Sequence, residues 1–289
     1  MFKSWSAKID GRRGKRSASM PRQHPFKSRS RLLGVVIIAS FVLAGTKVCL
    51  AARPLVTDDA APVPVGHLEV EFGVSHAHLQ GGGREQAVPV MMSAYGIMNF
   101  LEFGLGIQRV NNDLRGEPPA RGFEDLHLLA KLRLIEEKHI WPATALSVDV
   151  SVPTANKSKG LSTGKSNQAL TLILSKLYEP AGLHLNLGCL LVDSPRSDKF
   201  KNRFTGGIAA DYGIHPAIAL VGEVFGSSRA SKGEKNEAAF QLGLRYALNS
   251  NLVFDVAAGR SLRSAGASVQ GTAGLTWTID ISNYPKSGN

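Results

Sequence analysis

Two cysteines in 289 residues, Cys49 and Cys189, leave no room for a disulfide framework. Cys49 falls in what reads as a cleavable leader, so Cys189 has no partner and is expected to be a small packing residue in an apolar strand. The chain also lacks any continuously apolar stretch of about 20 residues, the length a membrane-spanning helix needs. Its longest run, Leu32–Gly45, follows Arg31 and ends after 14 residues. With small residues at Cys49 and Ala51 it fits a secretory signal spanning residues 1–51. Met20 would give that leader a more ordinary start. Arg12-Arg13 lies too far from the apolar run for a twin-arginine signal, and Thr46-Lys47-Val48 is not a lipobox.

Basic charge is the next thing to disappear. The whole chain carries 34 Lys and Arg against 23 Asp and Glu, a formal charge of +11. The first 51 residues hold 11 of those cations and one acid, so the remaining 238 residues carry 23 of one sign and 22 of the other. A net charge of +1 removes the electrostatic case for nucleic acid as a partner.

Complete reaction motifs are absent too. Gly160–Ser166 (GLSTGKS) has three residues between its glycines where a phosphate cradle needs four, and it leads into a strand rather than a helix. His76 and His78 share one strand face, but two ligands do not make a metal site. His127 and His184 are expected to face inward, with no serine tied to either by local spacing. Asn156-Lys157-Ser158 is a glycosylation sequon by pattern only. No catalytic residue, cofactor or metal follows, and the chain is not expected to be an enzyme.

What is present is alternation. Over Ala143–Pro153, Leu146, Val148, Val150 and Val152 alternate with Ser147, Asp149 and Ser151; over Ser166–Tyr178, Leu170, Leu172 and Leu174 alternate with Thr171, Ile173 and Ser175. A period of two gives each strand one apolar face. Strands of this length can cross a bilayer as tilted β, which takes about 9–11 residues. Twelve such segments are expected: His67–Leu79, Ala87–Met98 (with a bulge at Pro89), Leu101–Arg109, Gly122–Ile135, Ala143–Pro153, Ser166–Tyr178, Leu183–Val192, Phe204–Gly213, Ala217–Phe225, Glu237–Leu248, Leu252–Gly259 and Val269–Ile281. Long polar connections alternate with tight ones, as in bacterial barrels whose external loops are long and periplasmic turns short. The fold class is therefore all-β, an antiparallel transmembrane β-barrel of about 12 strands. Residues 52–66 form a Pro-rich periplasmic entry segment, 67–281 the barrel and 282–289 a C-terminal tail. Trp141, Trp277, Tyr178, Tyr246 and Tyr284 fall near strand ends or in the last strand, where interfacial girdles lie.

If the apolar faces meet lipid, Glu69, Glu71, Glu102, Asp125, Lys131, Arg133, Asp149, Lys176, Asp211, Glu223, Arg245, Asp255 and Asp280 face the lumen. Turning them inward avoids roughly 2–4 kcal/mol for each Arg or Lys at mid-depth. Their acidic excess favours cations, though the same charges could pair into ladders that fill the barrel.

VPTANKSKGLSTGKSNQALTLILSK (Val152–Lys176) resembles the PTG…GLGSGK strand, loop and strand of an outer-membrane β-barrel transporter family named after the meta-pathway of phenol degradation. RPLVTDDAAPVPVGHLEVEFG (Arg53–Gly73) and YGIMNFLEFGLGI (Tyr95–Ile107) extend the likeness over most of the chain. Ala155 departs from the family's Gly, and Asn289 from its terminal aromatic residue. The resemblance implies passive diffusion of small molecules, hydrophobic or aromatic ones among them, across the outer membrane of a Gram-negative bacterium after Sec-type export. Its expected partners are outer-membrane lipid and lipopolysaccharide, and a small-molecule substrate. The alternative is a non-conducting structural or adhesive barrel acting through Lys157, Lys159, Lys165, Lys199, Lys201 and Arg203. A barrel hydrolase would need a Ser–His pair at one rim. Neither substrate nor oligomeric state can be read from the residues.

Overall fold

The computed structural model describes residues 53–114, 118–192, 202–229 and 234–282. The leader, Lys199, Lys201 and Tyr284 lie outside the described residues. Where apolar and polar residues alternate, the chain extends into β1 (His67–Leu79), β2 (Gly83–Met98), β3 (Leu101–Leu114), β4 (Ala120–Phe123), β5 (Leu126–Ile135), β6 (Ala143–Val152), β7 (Asn167–Tyr178), β8 (Ala181–Leu191), β9 (Asn202–His215), β10 (Ile218–Ser227), β11 (Glu237–Asn249), β12 (Leu252–Ser261) and β13 (Ala267–Asp280). The pairings are antiparallel, β1 joins β13 and β2 joins β3, so the sheet closes on itself, with only the short β4 paired on one side alone among the described residues.

Thirteen strands make twelve staves because β4 and β5 share one. The single strand expected over Gly122–Ile135 is interrupted at Glu124-Asp125. There the Asp125 carboxylate turns to accept from Ala155 N–H (2.9 Å) and Ser162 Oγ (2.8 Å), tying down the β6–β7 loop. The expected bulge in β2 lies between Pro89 and Met91. Two-residue turns at Asn99-Phe100, Glu179-Pro180, Pro216-Ala217 and Ser250-Asn251 gather at one end. Longer connections occupy the other, including the β6–β7 loop with its 3-10 turn Lys157–Lys159, the exceptions being the three-residue β1–β2 connection there and the seven-residue β5–β6 connection at the short-turn end.

The outer face is apolar. Phe72, Leu170, Ile208, Leu220, Val224, Leu242, Leu244 and Phe254 project from it and are exposed. No helix is long and apolar enough to cross a membrane; a lipid-facing barrel wall explains this belt instead. Exposed rings of Tyr95, Trp141, Tyr178, Tyr212, Tyr246 and Trp277 cluster toward the short-turn end, where an interfacial girdle would sit. Inside, most buried residues are polar or small, with Val63, Val110, Ile173, Val221 and Val253 among the exceptions, and the apolar cluster found among the described residues is Ala60, Ala145 and Ile173.

Candidate functional site

Ala60 belongs to none of the strands, and its burial points to the central feature of the lumen. Residues 53–65 (RPLVTDDAAPVPV) carry three prolines and no alternation, so they cannot add to the sheet. Their backbone polar groups still need partners. The segment expected to precede the barrel as an entry region instead lies against the inner wall, which supplies those partners.

Arg53 starts the crossing. Its guanidinium reaches Asp255 of β12 (3.3 Å) and Thr272 of β13 (2.8 Å), and its carbonyl accepts from Arg245 Nε of β11 (2.7 Å). Gly73 of β1 and Gly274 of β13, directly paired, leave the space it fills: a Cβ on either would come within 2.4 Å of an Arg53 side-chain nitrogen. Next, Val56 and Thr57 donate their N–H groups to the two oxygens of Glu223 on β10, at 2.7 and 2.8 Å. Gln241 Nε2 braces that carboxylate (2.6 Å) and also holds Pro54 O (3.0 Å).

Farther along, Asp58 meets Lys131 of β5 at 2.9 Å. With its amide oriented to satisfy both ends, Asn186 of β8 accepts from Asp58 N–H (2.8 Å) and donates to Asp58 O (2.9 Å). Ala60 N–H donates to Ser175 Oγ of β7 (2.9 Å), and Val63 N–H to Glu102 of β3 (2.5 Å). Glu102 also faces Lys131, its direct cross-strand partner, at 3.5 Å. Val65 closes the crossing with an isolated bridge to Gly96 of β2. Burying this many charges is tolerable because each carboxylate and cation here is paired or hydrogen-bonded.

Two cavities flank the segment. The lower, about 300 Å³, lies in the short-turn half between residues 58–64 and the wall of β1, β2, β3 and β5; it is bordered by Asp58, Asp59, Glu69, Glu71, Glu102 and Lys131. The upper, about 360 Å³, lies in the long-loop half, floored by Val56 and Thr57. The crossing segment separates them.

Ser175 leads to a second feature. Its Oγ lies 2.8 Å from His184 Nδ1, and His184 Nε2 lies 2.8 Å from Asp211 Oδ1. All three residues are buried. Gly182, opposite Asp211, makes the reach possible, since a Cβ there would stand 2.5 Å from the carboxylate oxygen. This is the nucleophile, base and orienting-acid pattern of hydrolases, but it lies inside the lumen rather than at a rim. Ser175 accepts from Ala60, so its hydroxyl proton points to His184 Nδ1, and His184 donates from Nε2 to Asp211. The chain of three bonds fastens the crossing segment to β7, β8 and β9.

The thirteen expected lumen residues thus have different fates. Glu102, Lys131, Glu223, Arg245 and Asp255 hold the segment directly, Asp211 does so through His184, and Glu69 and Glu71 border the lower cavity. Asp149 faces inward but binds His127 (2.8 Å). Asp125 holds the β6–β7 loop, Arg133 binds Asn99 O (2.7 Å) and Glu136 (3.1 Å) at the short-turn end, and Asp280 accepts from Ser282 at the last strand's end. Lys176 is a correction: it shares the outward face of β7 with Leu170, Leu172 and Tyr178. It stays there because the β5–β6 connection neutralises it, through Glu137 (2.9 Å) and Lys138 O (2.6 Å), beside the Tyr178 ring. His76 and His78 also point outward and are exposed, their Nε2 atoms 3.2 Å apart. Among the described residues, no group of three or more ligand-type side chains could hold a metal ion.

A family model described as "Uncharacterised conserved protein UCP029691" matches residues 39–276. No curated protein matches the chain. Among solved structures, the COG4313 outer membrane channel from Pseudomonas putida F1 aligns with a TM-score of 0.61 at 14% identity, over 78% of this chain and 100% of that one. The KdgM porin aligns with a TM-score of 0.48 at 11% identity, over 72% and 99%. At such identity the first likeness is one of fold, an outer-membrane barrel.

Proposed function

For a chain that belongs to the uncharacterised conserved protein family UCP029691, we propose an outer-membrane channel whose N-terminal segment, residues 53–65, is a noncovalent stopper in the lumen. The observation that carries this reading is the crossing itself. A closed barrel is spanned by a strap held mainly by hydrogen bonds and ion pairs, each breakable and re-formable. A permanently filled barrel would more economically pack apolar side chains, as small barrels do.

Passage would be passive, because the barrel has no evident means of coupling energy. Both cavities set carboxylate, hydroxyl or amide groups among apolar and glycine positions, and these groups would be left unpaired by the purely hydrophobic or aromatic solutes implied by the resemblance to the phenol meta-pathway family. The apolar outer belt would sit in outer-membrane lipid. Lysines of the β6–β7 loop, Lys157, Lys159 and Lys165, suit lipopolysaccharide phosphates at the long-loop end. The alternative, a structural barrel, keeps the same contacts but never releases the segment.

The test is conductance in a planar bilayer with unequal salt on the two sides, for the chain and for a variant lacking residues 54–62. Low, intermittent conductance that becomes large, steady and cation-selective on deletion supports the channel. A folded deletion variant that still conducts nothing would overturn it.

A further inference from the structure

The upper cavity differs from the rest of the lumen in its chemistry. Around the segment the wall is ionic, whereas the cavity at the long-loop half is bordered almost wholly by hydroxyl, amide, glycine and alanine groups. Among the described residues its one charged border residue is Glu237, and its one aromatic side chain is Phe225 of β10, projecting inward on the same face as Glu223.

Some of the hydrogen-bonding groups there are held by the protein, Ser227 by Arg203, Ser261 by neighbouring carbonyls and Asn186 by Asp58, but others are not. Thr171 of β7 and Thr205 of β9 face each other across Gly188, and neither hydroxyl bonds to another of the described residues. Gln270 of β13 uses only Nε2, in a long 3.4 Å bond to Gln241, leaving its oxygen open. The floor supplies an independent sign: Thr57 is 4% exposed, and its Oγ1 is buried without any partner. A buried hydroxyl left unsatisfied costs about 1–3 kcal/mol, and the Thr171 and Thr205 hydroxyls above it are open to whatever enters the cavity.

Glycine keeps that space open. A Cβ at Gly188 of β8 would stand 2.3 Å from Thr205 Oγ1, and one at Gly207 of β9, on the cavity border, 2.3 Å from Thr57 Oγ1. A volume of about 360 Å³ falls within the usual range of small-ligand sites, in which an apolar face and a few fixed polar groups orient the ligand.

We infer that this cavity is a binding site for a small neutral polyhydroxylated solute, of monosaccharide or cyclitol size. Its C–H face rests on Phe225, and its hydroxyls pair with Thr171, Thr205 and Gln270. Among the described residues the border carries one charge, Glu237, which repels an acid, and Arg203, just beyond the border, is held by Ser227 Oγ (3.0 Å) and Ser228 O (3.4 Å). A purely apolar solute would strand the unused hydroxyls and amide. This rests on the channel reading for its purpose, since the cavity is the first enclosed space a solute would meet from the long-loop end. It does not rest on that reading for its test.

Binding is read without flux, by calorimetric titration and ligand-observed NMR on the full chain refolded in detergent. The probes are D-glucose and myo-inositol, with glucuronate and toluene as charged and apolar comparisons. Saturable binding of a neutral probe, weakened at least tenfold by Thr171→Val with Thr205→Val and by Phe225→Ala, is expected, with glucuronate and toluene not binding. Heat-modified gel mobility and circular dichroism check that each variant is folded, and Thr205→Val alone provides a milder variant if the others fail. Binding of glucuronate or toluene in preference to the polyols, neutral-probe binding untouched by folded variants, or no binding at all would overturn the site. Bilayer conductance measured alongside keeps the two readings apart: polyol binding without conductance retains the site and removes the channel, and conductance without polyol binding does the reverse.

Discussion

Glu223→Gln is the sharpest perturbation of the stopper. In the native chain both carboxylate oxygens accept backbone N–H groups of the segment, at 2.7 and 2.8 Å, and one also accepts from Gln241. Hydrogen bonds to an ionised group contribute roughly 1.5–3 kcal/mol each. Glutamine keeps the shape but turns one acceptor into a donor, facing either a segment N–H or the Gln241 amide. One charge-assisted bond is lost, the other is weakened, and a donor is set against a donor. The sum is about 3 kcal/mol against seating, which at 1.4 kcal/mol per decade is on the order of 100-fold in the ratio of released to seated segment. The assay is single-channel recording at fixed voltage, reading open probability. Asp149→Asn is the control, because that carboxylate is held by His127 rather than by the segment. Glu223→Gln protein that folds normally yet opens no more often than wild type would refute the idea that these bonds hold the stopper.

Four further outcomes are expected. Gly274→Ala places a methyl against the Arg53 guanidinium and should raise open probability tens-fold, whereas in an Arg53→Ala background it should do almost nothing; additivity in that double-mutant cycle would remove Arg53 from the seat. Ile208→Arg, on the exposed outer face of β9, should cost about 2–4 kcal/mol in urea unfolding from lipid vesicles if placed near mid-bilayer, and near-zero cost would argue against a lipid-facing wall. Ser175→Ala should loosen the segment by removing the acceptor of Ala60 N–H, which protease accessibility of residues 53–64 would detect. A fluorophosphonate probe should not label wild-type Ser175, buried beneath that segment, and labelling would instead indicate a hydrolase.

Strands were legible because one physical rule governs each of them. A wall one residue thick with lipid outside must alternate, and the alternation survives even where composition is ordinary, as in Leu146–Val152. Lys176 shows where the rule needs care. Its charge suggested the lumen, yet its position two residues from Leu174 sets it on the outer face. A rim residue can remain there because the neighbouring connection supplies Glu137 and a backbone carbonyl.

The Ser175–His184 contact could have been read from the sequence with a better turn. A turn taken as Glu179–Gly182 pairs Tyr178 with Leu183 and so brings Ser175 opposite Asn186. The actual two-residue turn Glu179-Pro180 pairs Tyr178 with Ala181 and Ser175 with His184. Asp211 lies beyond a long connection whose length fixes no register, so its approach to His184 carried no local signal.

The crossing segment was hidden for a different reason. It binds mainly through backbone N–H groups, which every residue but proline possesses, and so leaves no side-chain signature of its own. Its imprint is on the wall instead. Gly73, Gly207 and Gly274 sit on inward positions of strands, where glycine weakens a sheet unless something approaches closely. In each case that something is the segment, Arg53 at two of them and Thr57 at the third. Inward glycines accompanied by inward carboxylates, Glu223 and Glu102 above all, therefore trace the path of an internal strap in the strand sequences themselves. By the same reasoning, an inward glycine set between unused hydroxyls, as Gly188 is between Thr171 and Thr205, marks a space kept for something the chain does not itself contain.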